Sequence, residues 1–544
     1  MQLHQDQSKA SKLAESIRET EPLDNDGGID PENEISGLRL LLVHTSLCLC
    51  TFLVGLDFNL IATAVPVITS EFNSIGDVGW YGSAFYIALC ASQPLTGKTF
   101  TLFSKKWMYL AYVLIFEAGS LICALAPSSP VLILGRAIAG FGASGIFAGG
   151  LVIVTTVIPL HKRAIWTGTM NSTFVVASVI GPVIGGALTQ HVTWRWCFYI
   201  NLPIGAFSIA VFLLFFHIKP SPTEDGARLH HKLKSLDGLG FVLFAGAVAM
   251  LLLPLQLGGT SARYAWDSSR VIGMLVGCGA TLTAFVAWQV HLQDSALIPP
   301  RLFRNRNTPL IFASAAFANG PFQCIIYWLP VWFQAVLDVS PIASGVRYLP
   351  AVISDVLTSI IGSVLVTYCG WWNPFLVFGM AMVSLGGGLL STLHPAISDG
   401  HWIGYQIFAG VGYSLVVNMA HIGVQASLPP SLVPLGATTL LFSISASCAI
   451  FLAVGQAIFQ EQLASNLAHV VPQDVLERIS AVGATNVRSV IGADQQLAVL
   501  DAYSQSITRV FYLPAGAAVL AFLLASGTKW ISIKKTKSAE TYGA

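Results

Sequence analysis

Charge is scarce in this chain. Asp, Glu, Lys and Arg make up 10% of its 544 residues, against about 25% in a soluble domain, which argues against a water-soluble globular fold. The net charge is only +1, so the basic footprint that a nucleic-acid partner needs is missing. Nine cysteines are present, Cys48, Cys50, Cys90, Cys278 and Cys448 among them, without a CxxC or a His-linked spacing. They read as small buried hydrophobes, and no metal site is expected. A P-loop, an HExxH and a paired-acid constellation are also absent. Neither ATP-driven work nor catalysis has its residues, and no cofactor is expected. The first apolar run starts too late for a cleaved signal peptide and should act as an uncleaved first span.

Apolar residues are what the chain has, at 54% of the total. They gather into fourteen runs, at 40–68, 79–96, 107–126, 130–157, 164–188, 197–217, 238–258, 270–290, 309–336, 345–368, 372–393, 402–424, 433–459 and 508–529. A hydrocarbon core about 30 Å thick needs about 20 helical residues to cross, and lipid accepts only backbones whose polar groups are satisfied internally. The expected fold is therefore all-α: a polytopic membrane protein with 14 transmembrane helices. So many spans build a pathway rather than an anchor, and transport of a small-molecule substrate through the lipid bilayer is the leading function.

With the N-terminus placed in the cytosol, twenty of the 28 Lys and Arg residues fall on inner segments, seven on outer ones, and Arg136 inside the membrane. The positive-inside rule then puts both termini in the cytosol. Residues 1–36, with Glu15, Glu19, Glu21, Asp24, Asp26, Asp30, Glu32 and Glu34, read as a disordered cytosolic tail. Residues 219–237 read as a basic linker between two halves. The outer segment 460–507 reads either as a loose loop or as one carrying an amphipathic helix around Leu476, Ile479 and Val482.

An ionisable side chain inside a span costs about 2.5–3.5 kcal/mol, which makes each one a functional candidate. Asp57, Glu117, Arg136, Asp355 and His421 are the cases. At about 1.5 Å per residue, Asp57 and Arg136 fall in the outer half, roughly 5–10 Å apart in depth. Two readings stand: a proton-coupling pair in which Arg136 favours the ionised form of Asp57, or a fixed ion pair tying two helices. Asp355 reads either as a cargo or proton contact or as a hydrogen bond to a neighbouring helix. Glu117 reads either as a protonated, helix-bonded acid or as a proton relay, and His421 either as a hydrogen-bonded interfacial residue or as a proton-linked one. Gln93, Asn171, Asn319, Gln323, Tyr327, Gln406 and Asn418, with Asp355, are candidate substrate-cavity groups among aromatic neighbours.

The string 134–150 contains Gly140, Gly142 and Gly145 in a GxGxxG spacing. A nucleotide site needs a strand before it, so here the glycines read as close helix packing. Gly181-Pro182 is expected to kink the fifth span. Asn171-Ser172-Thr173 matches a glycosylation pattern but lies in or beside a span.

Five ordered motifs converge on a family. Gly55-Leu56-Asp57 through Pro66 resembles the span-one pattern LDxTIVxxALP. Gly97-Lys98 through Lys105-Lys106 resembles the loop-two motif GxLxDRxGRK. Leu132 through Arg136 with Gly140 and Gly142 resembles LxxGRxxxGxG. Gly181-Pro182 with Gly185-Gly186 resembles the antiporter motif GPxxGG, and Trp194-Arg195-Trp196 through Asn201-Leu202-Pro203 resembles WRWxFxINLP. The chain thus resembles the 14-spanner drug:proton antiporters of the major facilitator superfamily, specifically the fungal toxin and multidrug efflux type. Thr101, Leu102 and Ser104 depart from the loop-two Asp, Arg and Gly, which puts its cytosolic latch in doubt, and Asn59 replaces a common Thr. The second half holds only an echo of that loop at Gly370-Trp371-Trp372-Asn373-Pro374.

The resemblance implies two six-helix bundles with two inserted helices. The division would be a tail at 1–38, a first bundle at 39–217, a linker and extra helices at 218–308, a second bundle at 309–530 and a tail at 531–544. It implies proton coupling through Asp57 and Arg136. Conformational roles would fall to Gly97, Lys98, Lys105, Lys106, Gly181, Pro182, Gly185 and Gly186. It also implies alternating access and export of an amphipathic metabolite, toxin or drug, by a monomer in the cell membrane or the vacuolar membrane. The alternative is proton-coupled uptake of a nutrient, siderophore or basic amino acid. A receptor or an intramembrane enzyme would need a large cytosolic domain or a catalytic constellation that this sequence does not show.

Overall fold

The computed structural model describes residues 35–72, 77–218, 232, 235–257, 265–339, 341–468 and 496–534. The acidic N-terminal segment, most of the basic linker and Leu476, Ile479 and Val482 lie outside them.

Nearly all the described residues are helical. The first half runs α1 (Gly37–Phe72), α2 (Val78–Leu102), α3 (Lys105–Ala124), α4 (Ser129–Val157), α5 (Leu160–His191), a short α6 (Trp196–Tyr199) and α7 (Asn201–Phe215). The inserted pair is α8 (Gly238–Leu257) and α9 (Ser269–Leu292). The second half runs α10 (Asn307–Leu337), α11 (Pro341–Cys369), α12 (Asn373–Leu390), α13 (Asp399–Ser427), α14 (Val433–Ala468), α15 (Gln496–Val510) and α16 (Tyr512–Ser526).

Twelve of the described helices or adjoining helix pairs are long and apolar enough to cross a membrane, and the bent α5 makes thirteen. With α2, at 25 residues, the count is compatible with the fourteen expected. The segment 460–507 is not wholly a loop. Its ends belong to α14 and α15, because the α14 helix carries on past the apolar run into residues such as Gln460 and Gln462.

Each half has its own core. Phe116, Tyr109, Phe85 and Phe212 are buried in the first; Trp332, Phe333, Met380 and Val416 are buried in the second. Within the first half the glycine string works as packing. A Cβ on Gly142 would strike the Phe116 main chain, and one on Gly145 would strike the Tyr112 ring. Small residues let helices approach where lipid supplies no hydrophobic drive, so α4 comes against the α3 main chain at Gly142 and seats the Tyr112 ring at Gly145.

The α5 helix bends by 43° between its 162–178 and 183–191 pieces, the break expected from Gly181-Pro182. Gly181 faces α1 at the break, where an added Cβ would stand 2.7 Å from Asn59 Cβ. Asn59 Nδ2 donates to Gly55 O at 2.7 Å and to Ser178 Oγ at 3.3 Å.

Candidate functional site

Asp57 and Arg136 are brought together. Arg136 Nη1 donates to Asp57 Oδ2 at 2.5 Å, and both side chains are fully buried. The α1 helix supplies the acid and α4 the guanidinium, from an antiparallel neighbour. Arg136 Nε donates to the Tyr81 carbonyl at 2.9 Å, and its guanidinium lies 4.5 Å from the Phe85 ring centroid, a cation–π seat. Asn201, the first residue of α7, donates through Nδ2 to Asp57 Oδ1 at 3.3 Å and to Ser120 Oγ at 3.1 Å. Sequence reasoning placed Asn201 in a signature motif without seeing that it reaches the acid. Among the described residues, Arg136 Nη2, Asn201 Oδ1 and both Glu117 carboxyl oxygens are buried without a hydrogen-bond partner. The cluster can take up a proton at a carboxylate, which leaves a neutral acid beside an uncompensated guanidinium.

At the outer end of α1, Glu71 accepts from Trp194 Nε1 at 2.6 Å and from Arg195 Nη1 at 2.8 Å. The Trp194 hydrogen bond and the Arg195 charge hold its carboxyl below the ordinary range. This fixes the WRW turn to α1.

The two halves meet where α2 and α5 touch α11, α13 and α14. Thr438 of α14 fills the space beside Gly97, where any Cβ would collide with its hydroxyl. Ser359 Oγ donates to Gly168 O at 2.9 Å. Asn171 Nδ2 donates to Asn418 Oδ1, and Asn418 Nδ2 to Ser359 Oγ, each at 2.9 Å. Tyr86 donates through its hydroxyl to Ser445 O at 2.8 Å, and Gln93 Nε2 to Ser445 Oγ at 3.2 Å. Tyr86, Gly168, Ser359, Thr438 and Ser445 were not among the sequence candidates. Small hydroxyl residues in spans give no signal until the helix faces are known.

The loop-two residues reach the turn after the inserted pair and the end of α7. Lys98 donates to the carbonyls of Ser295 and Ala296. Thr101, standing where the family has its acid, turns its hydroxyl back to Lys98 O at 2.8 Å. Lys106 Nζ donates to Leu213 O at 2.9 Å, and Lys105 opens α3.

Beside Lys98 lies Asp237, the residue before α8. Its Oδ1 accepts from Gly240 N at 2.9 Å and Trp288 Nε1 at 2.8 Å; its Oδ2 accepts from Gln289 Nε2 at 2.9 Å and Leu297 N at 3.0 Å. Burial pushes the carboxyl up, but these four donors outweigh it and hold Asp237 below the ordinary carboxylate range. An Asp ahead of an apolar run is a cap signal, so part of this was visible in sequence. Phe244 of α8 packs on Phe442 of α14 at 4.7 Å between ring centroids. The inserted pair thus touches both halves.

The echo loop of the second half behaves differently. Gly370 O accepts from Ile533 N at 2.8 Å, and Asn373 Nδ2 donates to Thr528 Oγ1 at 2.9 Å. That loop is tied down by the end of its own half.

The other candidates are scattered. Asn319 Nδ2 bonds its own helix at Ala315 O, 2.8 Å away. Gln406 Nε2 donates to Arg347 O at 3.0 Å. Tyr327 is half exposed and lies edge-on to Trp328, and Gln323 is half-buried. Asp355 is buried, and its main-chain carbonyl accepts from Ser414 at 2.8 Å. His421 Nδ1 donates to Val417 O at 2.8 Å in its own helix. Gly185 and Gly186 lie on the outer piece of α5, where a Cβ on Gly186 would meet nothing. Among the described residues no group of three His, Cys, Asp or Glu side chains could hold a metal ion.

The family description "Major Facilitator Superfamily" matches residues 47–454. The chain is similar to "Efflux pump roqT" of Penicillium rubens, 43% identical over 496 residues, covering 91% of each chain. It is similar to "MFS-type transporter astH" of Aspergillus oryzae, 42% identical over 502 residues, covering 92% of this chain and 88% of that one. It is also similar to "Efflux pump aunC" of Aspergillus niger, 40% identical over 508 residues, covering 92% and 89%. Among solved structures it shares its fold with the proton:xylose symporter XylE, at TM-score 0.57 and 12% identity, covering 89% of this chain and 94% of that one. The human organic anion transporter MFSD10 also matches, at TM-score 0.57 and 12% identity, covering 89% and 100%.

Proposed function

The chain belongs to the major facilitator superfamily, in its fungal efflux branch, and on that premise we propose that it exports an amphipathic small molecule in exchange for protons. The cargo class is a fungal secondary metabolite, toxin or drug. The chain acts as a monomer in the cell membrane. The observation that carries the coupling is the buried Asp57–Arg136 pair with Asn201 on the remaining carboxylate oxygen.

A proton arriving from the outer side neutralises Asp57. The ion pair then loses its Coulombic attraction, while the guanidinium stays in a low-dielectric site where it needs a partner. Its search for one moves α4 against α1, and the halves rock about the cargo as repeat-built carriers do. Loss of the proton to the cytosol restores the pair. The membrane potential contributes about 2.3 kcal/mol per charge per 100 mV, worth roughly fifty-fold in accumulation.

Gln93, Asn171 and Asn418 face the junction of the halves and supply polar anchors. Asp355, Asn319, Gln323, Tyr327 and Gln406 complete the proposed cavity set. Gly97, Lys98, Lys105 and Lys106, with Gly181, Pro182, Gly185 and Gly186, serve the motion. The bent α5 and the contact of Gly97 with Thr438 support that part.

The experiment is proton-driven efflux of ethidium from vesicles carrying the wild type or Asp57→Asn. Loss of efflux in the variant is expected. Undiminished, still proton-dependent efflux would reject Asp57 as the coupling residue.

A further inference from the structure

Glu117 lies outside the ion pair but inside the same cluster. It sits on α3 one turn before Ser120, so the two side chains share a face. Ser120 accepts from Asn201, which also donates to Asp57. One turn along α7 from Asn201 is Gly205, and any Cβ there would collide with Glu117 Oε1. The α7 helix is therefore notched where the Glu117 carboxyl enters. The residue is 7% exposed, and neither carboxyl oxygen has a hydrogen-bond partner among the described residues.

The ionisable groups facing it are Asp57 and Cys50 from α1. Packed near them are Arg136 from α4, which is committed to Asp57, and Cys197 from α6. The α7 helix presents Gly205 and Asn201 to it, with Ser208 beside Cys50.

From this arrangement we propose that Glu117 is a second proton-carrying carboxyl of the coupling site, holding a proton while Asp57 is ionised against Arg136. A buried carboxylate with no counter-charge and a carboxylate neighbour is the unfavourable member of the pair. A neutral acid fits the notch without one. Transfer of that proton to Asp57 leaves the negative charge on Glu117 and breaks the ion pair, with no net change in charge. This inference rests on the coupling role proposed for Asp57, but its test needs no cargo, so failure of the export reading would leave it standing.

The experiment is infrared spectroscopy of the purified full-length protein in lipid nanodiscs, following the carbonyl stretch of buried protonated carboxylic acids through a pH titration. Asp355→Asn serves as a background that removes a buried span acid outside the cluster. At neutral pH the background protein should show a protonated-acid band that Glu117→Gln removes and Glu117→Asp restores. In Asp57→Asn the band should be lost at a lower pH than in the background, because the neighbouring negative charge is gone and Arg136 is left without its partner. A band unchanged by Glu117→Gln would overturn the proposal. So would a band whose titration is the same with and without Asp57. If Glu117→Gln does not fold, the comparison of Glu117→Asp and Asp57→Asn with the background still decides it.

Discussion

Arg136 and Asp57 share one hydrogen bond of 2.5 Å with no solvent at either side chain. Removing one member of such a pair leaves an uncompensated charge at a cost of about 3–5 kcal/mol, whereas replacing both with apolar groups is often neutral. Asp57→Ala should therefore lower the melting temperature in detergent markedly. Asp57→Ala with Arg136→Met should recover most of the loss. A double variant no more stable than the single one would show that the charge is not what the pair satisfies.

Gly97 has no room for a side chain beside Thr438. Gly97→Leu should keep the halves apart on the cytosolic side. A cysteine introduced at Ser445 should then react faster with a membrane-impermeant thiol reagent applied to inside-out vesicles. Equal labelling with glycine or leucine at 97 would mean that this contact does not control closure.

Asn418 joins Asn171 to Ser359. Asn418→Ala removes both bonds and leaves the two partners short of a hydrogen bond, at about 1–3 kcal/mol for a group left unsatisfied. Closure should weaken about ten-fold or more. Disulfide trapping between cysteines at 168 and 359 would report it as a drop in the cross-linked fraction.

Asp237 gives the pH dependence. Its folded-state carboxyl is held down by four donors, so its contribution to stability is fully present above the ordinary carboxylate range, about 4. That contribution is lost as pH falls through the lower folded value. Melting temperature should fall on acidification below about pH 4, and the part due to Asp237 should be absent in Asp237→Asn. At neutral pH that variant should already be destabilised, by about 1–3 kcal/mol, since a neutral amide cannot accept from all four donors as a carboxylate does. A variant matching the wild type at both ends would refute the anchoring role.

Much of the fold was legible because lipid imposes a simple rule on apolar length. The inserted pair, expected at 238–258 and 270–290, spans Gly238–Leu257 and Ser269–Leu292. The approach of Asp57 to Arg136 was also readable, since a constant helical rise converts sequence position into depth. Rotation about each helix axis was not readable. That angle decides that Gln406 turns to Arg347 and Asn319 to its own helix, while Asn171 and Asn418 meet across the halves. It also decides that Glu117 meets Gly205. The role of Asp237 was half visible, because its cap position is local while Gln289 and Leu297 reach it only through the tertiary fold.

The bonds between the halves join α2 and α5 to α11, α13 and α14 on the side of Gly97, while Ile180 and Val183 on the far piece of α5 remain exposed. With the termini in the cytosol, as the positive-inside count predicts, these bonds shut the side that faces the cell interior. A wedge-shaped blocker could therefore jam the carrier from the medium without ever permeating the bilayer.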